Sequence, residues 1–300
     1  MASTRVLNEK YDLLMQQLAR SVENTMEQYL LQDSAVPEKL REAMLYSLRA
    51  GGKRLRPIMV IFACQACGGR PDDALPAAAA VEMVHTYSLI HDDLPALDDD
   101  DFRRGRPSSH KAFGEGVAIL AGDALLTYAF HVLTLHVPRA DLARQLVMEL
   151  SAAAGPAGMI GGQIEDLLAN NAPGTLEMVD YIHTHKTAML LRAAARMGGL
   201  CARADPRQLE ILGDYGLKVG QAFQITDDLL DITATPQQMG KPTQKDHKAG
   251  KLTYPAVAGV EQSNRQVQKL IEQALDDLAE LQTPAEPLRH LARMIIKRRN

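Results

Sequence analysis

The sequence predicts an all-α protein that forms a single-domain bundle of about ten or more helices. Apolar residues recur three and four positions apart along almost the whole chain, which is the period of an α-helix. No pair of segments shows the apolar–polar alternation of paired strands. Neither a linker nor a low-complexity segment interrupts the 300 residues, so we expect one domain over residues 1–300.

The predicted helices follow one another in chain order. The first two are "KYDLLMQQLARSVENTMEQYLL", with leucines and methionines three and four apart, and "PEKLREAMLYSLRAGG", which opens with proline and closes with glycine as helices do. Next comes "DALPAAAAVEMVHTYSLIHDD", so rich in alanine and other apolar residues that we expect it to be central and buried on most sides. The helical period continues through "MVDYIHTHKTAMLLRAAARMGG" and "DPRQLEILGDYGLKVGQAFQITDDLLD". The last segment, "PAEPLRHLARMIIKRRN", is amphipathic with a basic end.

Composition and charge exclude some classes of protein. Apolar residues make up 46% of the chain, enough for a sizeable core, and the net charge is −4 from 33 basic and 37 acidic residues. We therefore expect no nucleic-acid partner, because such binders are strongly basic. The sequence contains no run of 18 apolar residues, so it predicts no membrane span. The N-terminus lacks an apolar signal segment. We expect a cytoplasmic protein without stable membrane insertion.

Cys64 and Cys67 form a C-x-x-C pattern that two kinds of site could explain. A structural zinc ion needs four ligands, and no second pair of ligands lies nearby in the sequence. A thioredoxin-like motif needs a βαβ context, which the helical pattern does not provide. We therefore interpret both residues as ordinary reduced cysteines of a helix.

A cluster of acidic residues lies in "HDDLPALDDDDFRRGRP", residues 91–107, where six aspartates fall within ten positions. Two carboxylates about 4 Å apart repel by roughly 4 kcal/mol at an effective dielectric constant of about 20. Pro95 should end or bend the helix. On a straight helix, Asp98 would lie about 240° around the axis from Asp92, on a different face. A bend at Pro95 could bring Asp98 back toward Asp92. A Mg²⁺ site explains the cluster, because this ion prefers oxygen ligands; a solvated acidic loop is the alternative.

A second cluster, "FQITDDLLD", places Asp227 and Asp231 four residues apart on one helix face, with Gln224 nearly on the same face. Apolar neighbours should turn this helix inward, and buried carboxylates require a compensating cation. The two aspartate-rich segments therefore suggest two walls of one cavity that holds several Mg²⁺ ions together with substrate phosphates.

Basic residues recur in short clusters that suit phosphate oxygens. They are Lys53, Arg54 and Arg56; Arg103 and Arg104; Lys186 beside Thr187; and Lys241, Lys245, Lys248 and Lys251. Any one cluster could be a solvated face, but all of them beside two acidic clusters favour phosphate binding. His85 and His91 could be structural helix histidines. Gln163 and Asp166 are either partners of the site or ordinary buried polar residues.

These motifs together resemble the trans-isoprenyl diphosphate synthases. "GGKRLRP", "DDLPALD" with "RRG" behind it, "GGQIED", "HKT", "FQITDD" with "DDLLD", and "TYP" stand in the order of that family, from about residue 40 to the C-terminus. The resemblance implies a helical bundle of the isoprenoid synthase type around a central cavity, usually a homodimer. It also implies Mg²⁺-dependent prenyl transfer between isopentenyl diphosphate and an allylic diphosphate.

The resemblance implies a role for each matching residue. Asp92 and Asp98 would bind two Mg²⁺ ions and Asp227 a third, and the other catalytic residues would be Asp93, Asp228, Asp231 and Lys186. The allylic substrate would contact Arg103, Lys186, Thr187, Gln224 and Lys241. Isopentenyl diphosphate would contact Lys53, Arg56, His85 and Arg104. Lys251 would help to close a lid loop, in which Gln244 departs from the glycine of many relatives and puts only the local lid conformation in doubt.

Two residues before the first cluster bear on product length. Tyr87 lies five residues before Asp92, about 7.5 Å along a helix, and Ser88 lies closer to the same face. This spacing does not decide which of them forms the floor of the cavity. In the resemblance, farnesyl diphosphate synthases of the bacterial type combine an aromatic residue at this fifth position with a two-residue insertion in the motif. "TYSLIHDDLPALD" has both features, which favours a C15 product, (2E,6E)-farnesyl diphosphate.

Other functions would leave different features in the sequence. A geranylgeranyl or geranyl diphosphate synthase is the nearest alternative. A terpene cyclase would tend to line its pocket with aromatic residues, and this chain has no tryptophan and 4% aromatic residues. A non-catalytic subunit of a heteromeric synthase would be expected to lack an aspartate motif, and a structural calcium-binding protein would not need the basic clusters.

Overall fold

The computed structural model describes residues 2–169, 174–233, 251–281 and 283–297. Its α-helices are α1 Ala2–Gln32, α2 Glu38–Leu48, α3 Leu55–Ala66, α4 Pro71–Asp92, α5 Ser109–Phe113, α6 Glu115–His136, α7 Ala140–Ala154, α8 Met159–Leu168, α9 Leu176–Ile182, α10 Met189–Cys201, α11 Pro206–Thr233, α12 Tyr254–Ala258, α13 Val260–Asp277 and α14 Glu286–Lys297. A π-helical turn covers His183–Ala188, and 3₁₀ turns cover Leu278–Leu281 and Thr283–Ala285. The described part of the chain confirms the all-α prediction.

Two very short strands interrupt the helices. Strands β1 Phe102–Arg103 and β2 Arg106–Pro107 pair antiparallel, with Phe102 opposite Pro107 and Arg103 opposite Arg106. The turn between them contains Arg104 and Gly105, both with positive φ. This hairpin presents the arginines that follow the first aspartate cluster.

The chain divides into two compact units. The first comprises Met1–Ile61 and Asp72–Val147, and the second comprises Phe62–Pro71 and Met148–Asn300. The single domain expected over residues 1–300 stays a prediction.

Much of helix α4 is buried in the first unit. Residues 77–81 are fully buried, as predicted from the alanine-rich sequence. The alanine side chains at these positions take up little space, which suits close packing around a buried helix. Helix α4 ends at Asp92, three residues before Pro95, so it carries the first aspartates at its C-terminus.

The second unit is organised around α11, which packs against α10, α13 and the π-helical turn. Helix α8 also packs against this turn. Helix α11 holds the second aspartate cluster in its last turns, and the π-helical turn holds Lys186 and Thr187. Helical segments, and not loops, therefore carry Lys186, Thr187 and the second aspartate cluster.

Helix α6 is long and apolar enough, by length and composition alone, to cross a membrane, with a mean hydropathy of 1.6. Core helices of soluble proteins share this property. One face of α6 is buried in the first unit, where the helix packs against α2 and α5. The expected absence of membrane insertion and the expected cytoplasmic location stay predictions.

Candidate active site

The first aspartate cluster begins where α4 ends. The amide of Asp98 donates a hydrogen bond to the carbonyl of Asp92 at 2.8 Å, and the amide of Asp100 donates to the carbonyl of Asp93 at 3.1 Å. The chain thus turns back on the end of the helix, as the bend at Pro95 predicted. The backbones of Asp92 and Asp98 are now neighbours, although a straight helix would place the two residues on different faces.

Asp93 takes part in the site through an arginine. Its buried carboxylate accepts hydrogen bonds from Arg103 Nε at 2.9 Å and from Arg103 Nη2, which also lies 3.5 Å from Asp100. Burial raises the pKa of Asp93, and the hydrogen bond from Arg103 opposes this rise. The arginine after the cluster therefore compensates one of its buried negative charges.

Asp92 and Asp98 are only half-buried. Both side chains offer carboxylate oxygens at the C-terminal end of a helix, where the helix dipole already favours a cation. Hard divalent cations such as Mg²⁺ bind this kind of oxygen donor. The residues present therefore fit the predicted Mg²⁺ ions.

The basic cluster before α3 contains one residue that serves the fold. Arg54 is 2% exposed; it donates to Glu82 Oε1 at 2.6 Å, to Glu23 Oε1 at 2.8 Å and to the carbonyl of Leu48. Glu82 is itself buried. Arg54 is thus a structural ion-pair partner, whereas Lys53 on the same turn is exposed.

Several arginines surround His85 on α4. Arg56 Nη1 lies 3.3 Å from His85 Nε2. Burial lowers the pKa of His85 well below its usual value, and the charges of Arg56, Arg104, Arg54 and Arg103 lower it further. A neutral histidine in such a positive field indicates an environment suited to an anion.

Arg104 depends on the two glycines that precede this basic cluster. Its Nη1 donates a hydrogen bond to the carbonyl of Gly51. A Cβ on Gly52 would lie 2.6 Å from Arg104 Cζ, and Gly52 has a φ of +120°. Gly52 therefore provides the space in which the guanidinium lies, which gives a physical reason for the "GG" of the motif.

In the second unit, the π-helical turn presents Lys186 and Thr187. Lys186 Nζ donates to Asp166 Oδ2 at 2.6 Å, so Asp166 of α8 is a partner of the predicted site. Thr187 Oγ1 donates to Gln224 Oε1 at 2.9 Å. Gln163, also on α8, is half-buried. Single π-helical turns inside α-helices are frequent at functional sites, because they displace side chains from the regular helical path.

The second aspartate cluster contains one carboxylate whose two oxygens both have partners in the protein. Asp228 accepts hydrogen bonds from Gln224 Nε2 at 3.1 Å and from the backbone amide of Tyr254 at 2.9 Å, and His183 Nε2 lies 3.2 Å away. Asp227 is half-buried, whereas Asp231 is buried.

The contact between His183 and Asp228 joins residues 45 positions apart, and the sequence pattern did not predict it. In the "HTHKT" segment, the sequence analysis gave roles to Lys186 and Thr187 but none to His183. Tyr254 stood in the "TYP" motif without an assigned role. Its role here uses the backbone amide, which no side-chain pattern can reveal.

The predicted lid is only partly described. Lys251 is half-buried. Lys241 lies outside the described residues, as do Lys245, Lys248 and Gln244. The roles expected of these residues stay predictions.

Tyr87 is buried one helical turn before the first cluster, with 5% of its surface exposed. Its ring meets that of His91 edge-on at 5.7 Å. Its hydroxyl has no hydrogen-bond partner among the described residues, and burial, followed by the charge of Asp92, raises its pKa to about 12. Ser88 Oγ donates to the carbonyl of His85 at 2.9 Å.

The cysteine pair shows no sign of a site in the described part of the chain. Neither Cys64 nor Cys67 forms a disulfide, and Cys64 Sγ donates a hydrogen bond to the carbonyl of Arg70 at 3.4 Å. Burial, and to a lesser degree the charge of Asp205, raises the pKa of Cys67 to about 11, so this thiol is protonated at neutral pH.

The chain is a prenyltransferase, and it belongs to the polyprenyl synthetase family, whose profile matches residues 37–286. It is 50% identical to the dimethylallyltranstransferase of Fischerella ambigua over 88% of this chain and 78% of the relative. It is 44% identical to the geranylgeranyl diphosphate synthase of Cyanophora paradoxa over 88% of this chain and 89% of the relative.

Farnesyl diphosphate synthases are also among the relatives, so the names of the relatives leave the product open. The chain is 41% identical to that of Geobacillus stearothermophilus over 93% of this chain and 95% of the relative. The crystal structure of Helicobacter pylori geranyltransferase, complexed with magnesium and isoprenyl diphosphate, superposes with a TM-score of 0.82 at 33% identity, over 94% of this chain and 97% of that one.

Proposed function

We propose that this protein condenses isopentenyl diphosphate with dimethylallyl diphosphate and then with geranyl diphosphate, to give (2E,6E)-farnesyl diphosphate and diphosphate. The observation that carries the proposal is the return of Asp98 to Asp92 at the end of α4. Two aspartates that lie on different faces of an ideal helix become backbone neighbours there, in the sequence context of a prenyltransferase family.

Mg²⁺ would be held by Asp92, Asp98 and Asp227, with three ions per active site. When bound, Mg²⁺ supplies the positive charge that stabilises a leaving diphosphate. Asp93 contributes indirectly, because its hydrogen bonds fix Arg103. Asp228 positions its neighbours, because both of its oxygens already have partners in the protein.

The allylic diphosphate would be bound by Lys186, Thr187 and Gln224, with further contacts from Arg103 and Lys241. The hydrogen bonds of Lys186 to Asp166 and of Thr187 to Gln224 hold these side chains in place before substrate arrives. Preorganised donors of this kind do not have to reorient as negative charge develops on the leaving group.

Isopentenyl diphosphate would be bound by Lys53, Arg56, His85 and Arg104. The neutral state of His85 follows from its lowered pKa, so the charge of this subsite resides on the lysine and arginines. The reaction breaks the allylic C–O bond, forms a C–C bond to the double bond of isopentenyl diphosphate, and releases diphosphate and a proton. Water must be excluded while the allylic cation exists, and Lys251 would act in closing the site.

Tyr87 would set the C15 product length by filling the space below Asp92, with Ser88 beside it. The burial of Tyr87 supports this role. A geranylgeranyl or geranyl diphosphate synthase is the second candidate, and a relative with the first of these names at 44% identity supports it. A non-catalytic subunit is a weaker candidate, because both aspartate motifs are complete.

A homodimer is also part of the proposal. Ile119, Leu120 and Leu135 of α6 are 42%, 61% and 60% exposed, although the opposite face of this helix is buried. Apolar side chains of this size on one helix favour a protein partner. Light scattering after size exclusion should give twice the 32.8 kDa mass of the chain, and a monomer would remove the homodimer from the proposal.

Product analysis tests the proposed reaction. Purified protein is incubated with isopentenyl diphosphate, dimethylallyl diphosphate and Mg²⁺, with a chelator control, and the dephosphorylated products are sized by chromatography. Farnesol formed only with Mg²⁺ is the expected result. Geranylgeraniol or geraniol would keep prenyl transfer and overturn the product length. No prenyl alcohol from folded protein would contradict the function and point to a non-catalytic subunit.

Aspartate variants test the metal assignment. Asp92→Ala or Asp227→Ala should nearly abolish turnover and leave the helical content unchanged. Asp214→Asn is the matched control, because Asp214 is an exposed aspartate on the same helix as Asp227. Wild-type rates in either alanine variant would contradict the assignment.

A further inference from the structure

Three potential metal ligands meet next to the first aspartate cluster. One ligand atom from each of Asp99, Asp101 and His110 lies within 4.8 Å of the other two. The two aspartates are exposed and belong to the loop before β1, whereas His110 is buried on α5. The combination of two carboxylates and an imidazole differs from the all-oxygen set of Asp92 and Asp98.

The buried imidazole of His110 has a ring nitrogen that is available to bind a metal ion. His110 is 6% exposed, and its Nε2 is buried without a hydrogen-bond partner among the described residues. Its Nδ1 lies 3.1 Å from Ser108 Oγ. A histidine that binds a metal through one ring nitrogen usually donates the N–H of the other to an oxygen, which fixes the ring and its tautomer. Ser108 provides this oxygen and leaves Nε2 as the metal-binding atom.

The charges around the cluster attract a cation. Lys111 Nζ lies 2.8 Å from Asp101 Oδ1. The carboxylates of Asp99 and Asp101 thus stand beside one exposed ammonium group at the end of a flexible side chain. A divalent ion would occupy this field more favourably, because it carries twice the charge.

We propose that Asp99, Asp101 and His110 bind one divalent transition-metal ion of the Mn²⁺ to Zn²⁺ series. The ligands are His110 Nε2 and one carboxylate oxygen of each aspartate, and the Lys111 side chain moves aside. An imidazole ligand favours these ions over Mg²⁺, which prefers oxygen. The bound ion ties α5 to the loop that leads into the hairpin of Arg103 and Arg104.

The test measures the binding of Co²⁺ to the full chain by equilibrium dialysis, without any diphosphate and with excess Mg²⁺. His110→Gln should lose one equivalent of Co²⁺ that the wild-type protein binds. Asp92→Asn should retain this equivalent, because the proposed site does not use Asp92. Lys111→Met should bind the same equivalent about fivefold more tightly, because the competing positive charge is gone. A misfolded protein would not gain affinity in this way.

Each of three outcomes would overturn the proposal. One is equal Co²⁺ binding by the wild-type protein and His110→Gln. Another is loss of the same equivalent in Asp92→Asn, which would assign the ion to the first aspartate pair. The third is an unchanged affinity for Co²⁺ in Lys111→Met, which would contradict the displacement of the Lys111 ammonium group by the metal ion. All three measurements are made without substrate, so they stand whether or not prenyl transfer is observed.

Discussion

Replacing Gly52 by alanine should displace Arg104 and thereby weaken the binding of isopentenyl diphosphate. The new Cβ would lie 2.6 Å from Arg104 Cζ and 2.8 and 2.9 Å from the two terminal nitrogens. Ordinary contacts between such atoms are about 3.5–4.0 Å, so the guanidinium must move by roughly 1 Å. Its hydrogen bond to the carbonyl of Gly51 would be lost in this movement.

The size of the effect follows from the contact that is lost. A hydrogen bond to a charged group contributes about 1.5–3 kcal/mol. Since about 1.4 kcal/mol corresponds to a factor of ten, the KM for isopentenyl diphosphate should rise roughly 10- to 150-fold. The φ of +120° adds backbone strain of about 1–3 kcal/mol for alanine, which should appear as lower thermal stability.

Steady-state kinetics with varied isopentenyl diphosphate measures the effect, with geranyl diphosphate and Mg²⁺ held at saturation. Gly51→Ala is the matched control, because Gly51 also has a positive φ, of +81°, but a Cβ on this residue would meet no atom within 4 Å. The double variant Gly52→Ala/Arg104→Ala should be no worse than Arg104→Ala alone. A KM for Gly52→Ala equal to that of Gly51→Ala, or additive effects in the double variant, would refute the reasoning.

Three further changes probe other parts of the protein. Tyr87→Ala should lengthen the product beyond C15 because it removes the buried ring, and an unchanged chromatographic profile would exclude Tyr87 from the floor. Arg54→Ala should lower the free energy of unfolding in urea by about 3–5 kcal/mol, because it leaves the buried Glu82 without this partner; a loss below about 1 kcal/mol would contradict the ion pair's importance. Asp228→Asn should speed hydrogen exchange at the Tyr254 amide without changing the Mg²⁺ concentration for half-maximal rate, and a shift in Mg²⁺ dependence would make Asp228 a metal ligand.

The sequence predicted those features of the site that depend on local chain geometry. The end of α4 near Pro95 and the return of Asp98 to Asp92 follow from the lack of an amide hydrogen on proline and from the helical repeat. The deep burial of residues 77–81 follows from their composition. Each of these predictions needs only residues within one helical segment.

Features that depend on distant partners could not be predicted in this way. Arg54 stands between Lys53 and Arg56 in an apparently uniform basic cluster, yet its side chain is buried against Glu82, 28 residues away. The hairpin at Phe102–Pro107 has strands of two residues, too short to show an alternating pattern. Neither feature has a local signal, because tertiary packing decides the direction of the side chain and the pairing of the strands.

The π-helical turn at His183–Ala188 changes the angular position of the residues of α10 around the helix axis, relative to the regular repeat of α9. A π turn adds a residue to the regular helical repeat, and each residue of an α-helix advances about 100° around the axis. The apolar faces of the segments before and after this turn are therefore offset along the sequence, although the helical path is continuous. Deleting one residue within 183–188 would align the apolar faces of α9 and α10. The deletion would also rotate either Lys186 and Thr187, or helix α10 that follows them, away from the residues that they contact. Relatives with a regular helix here should therefore carry a one-residue gap in alignments with this chain.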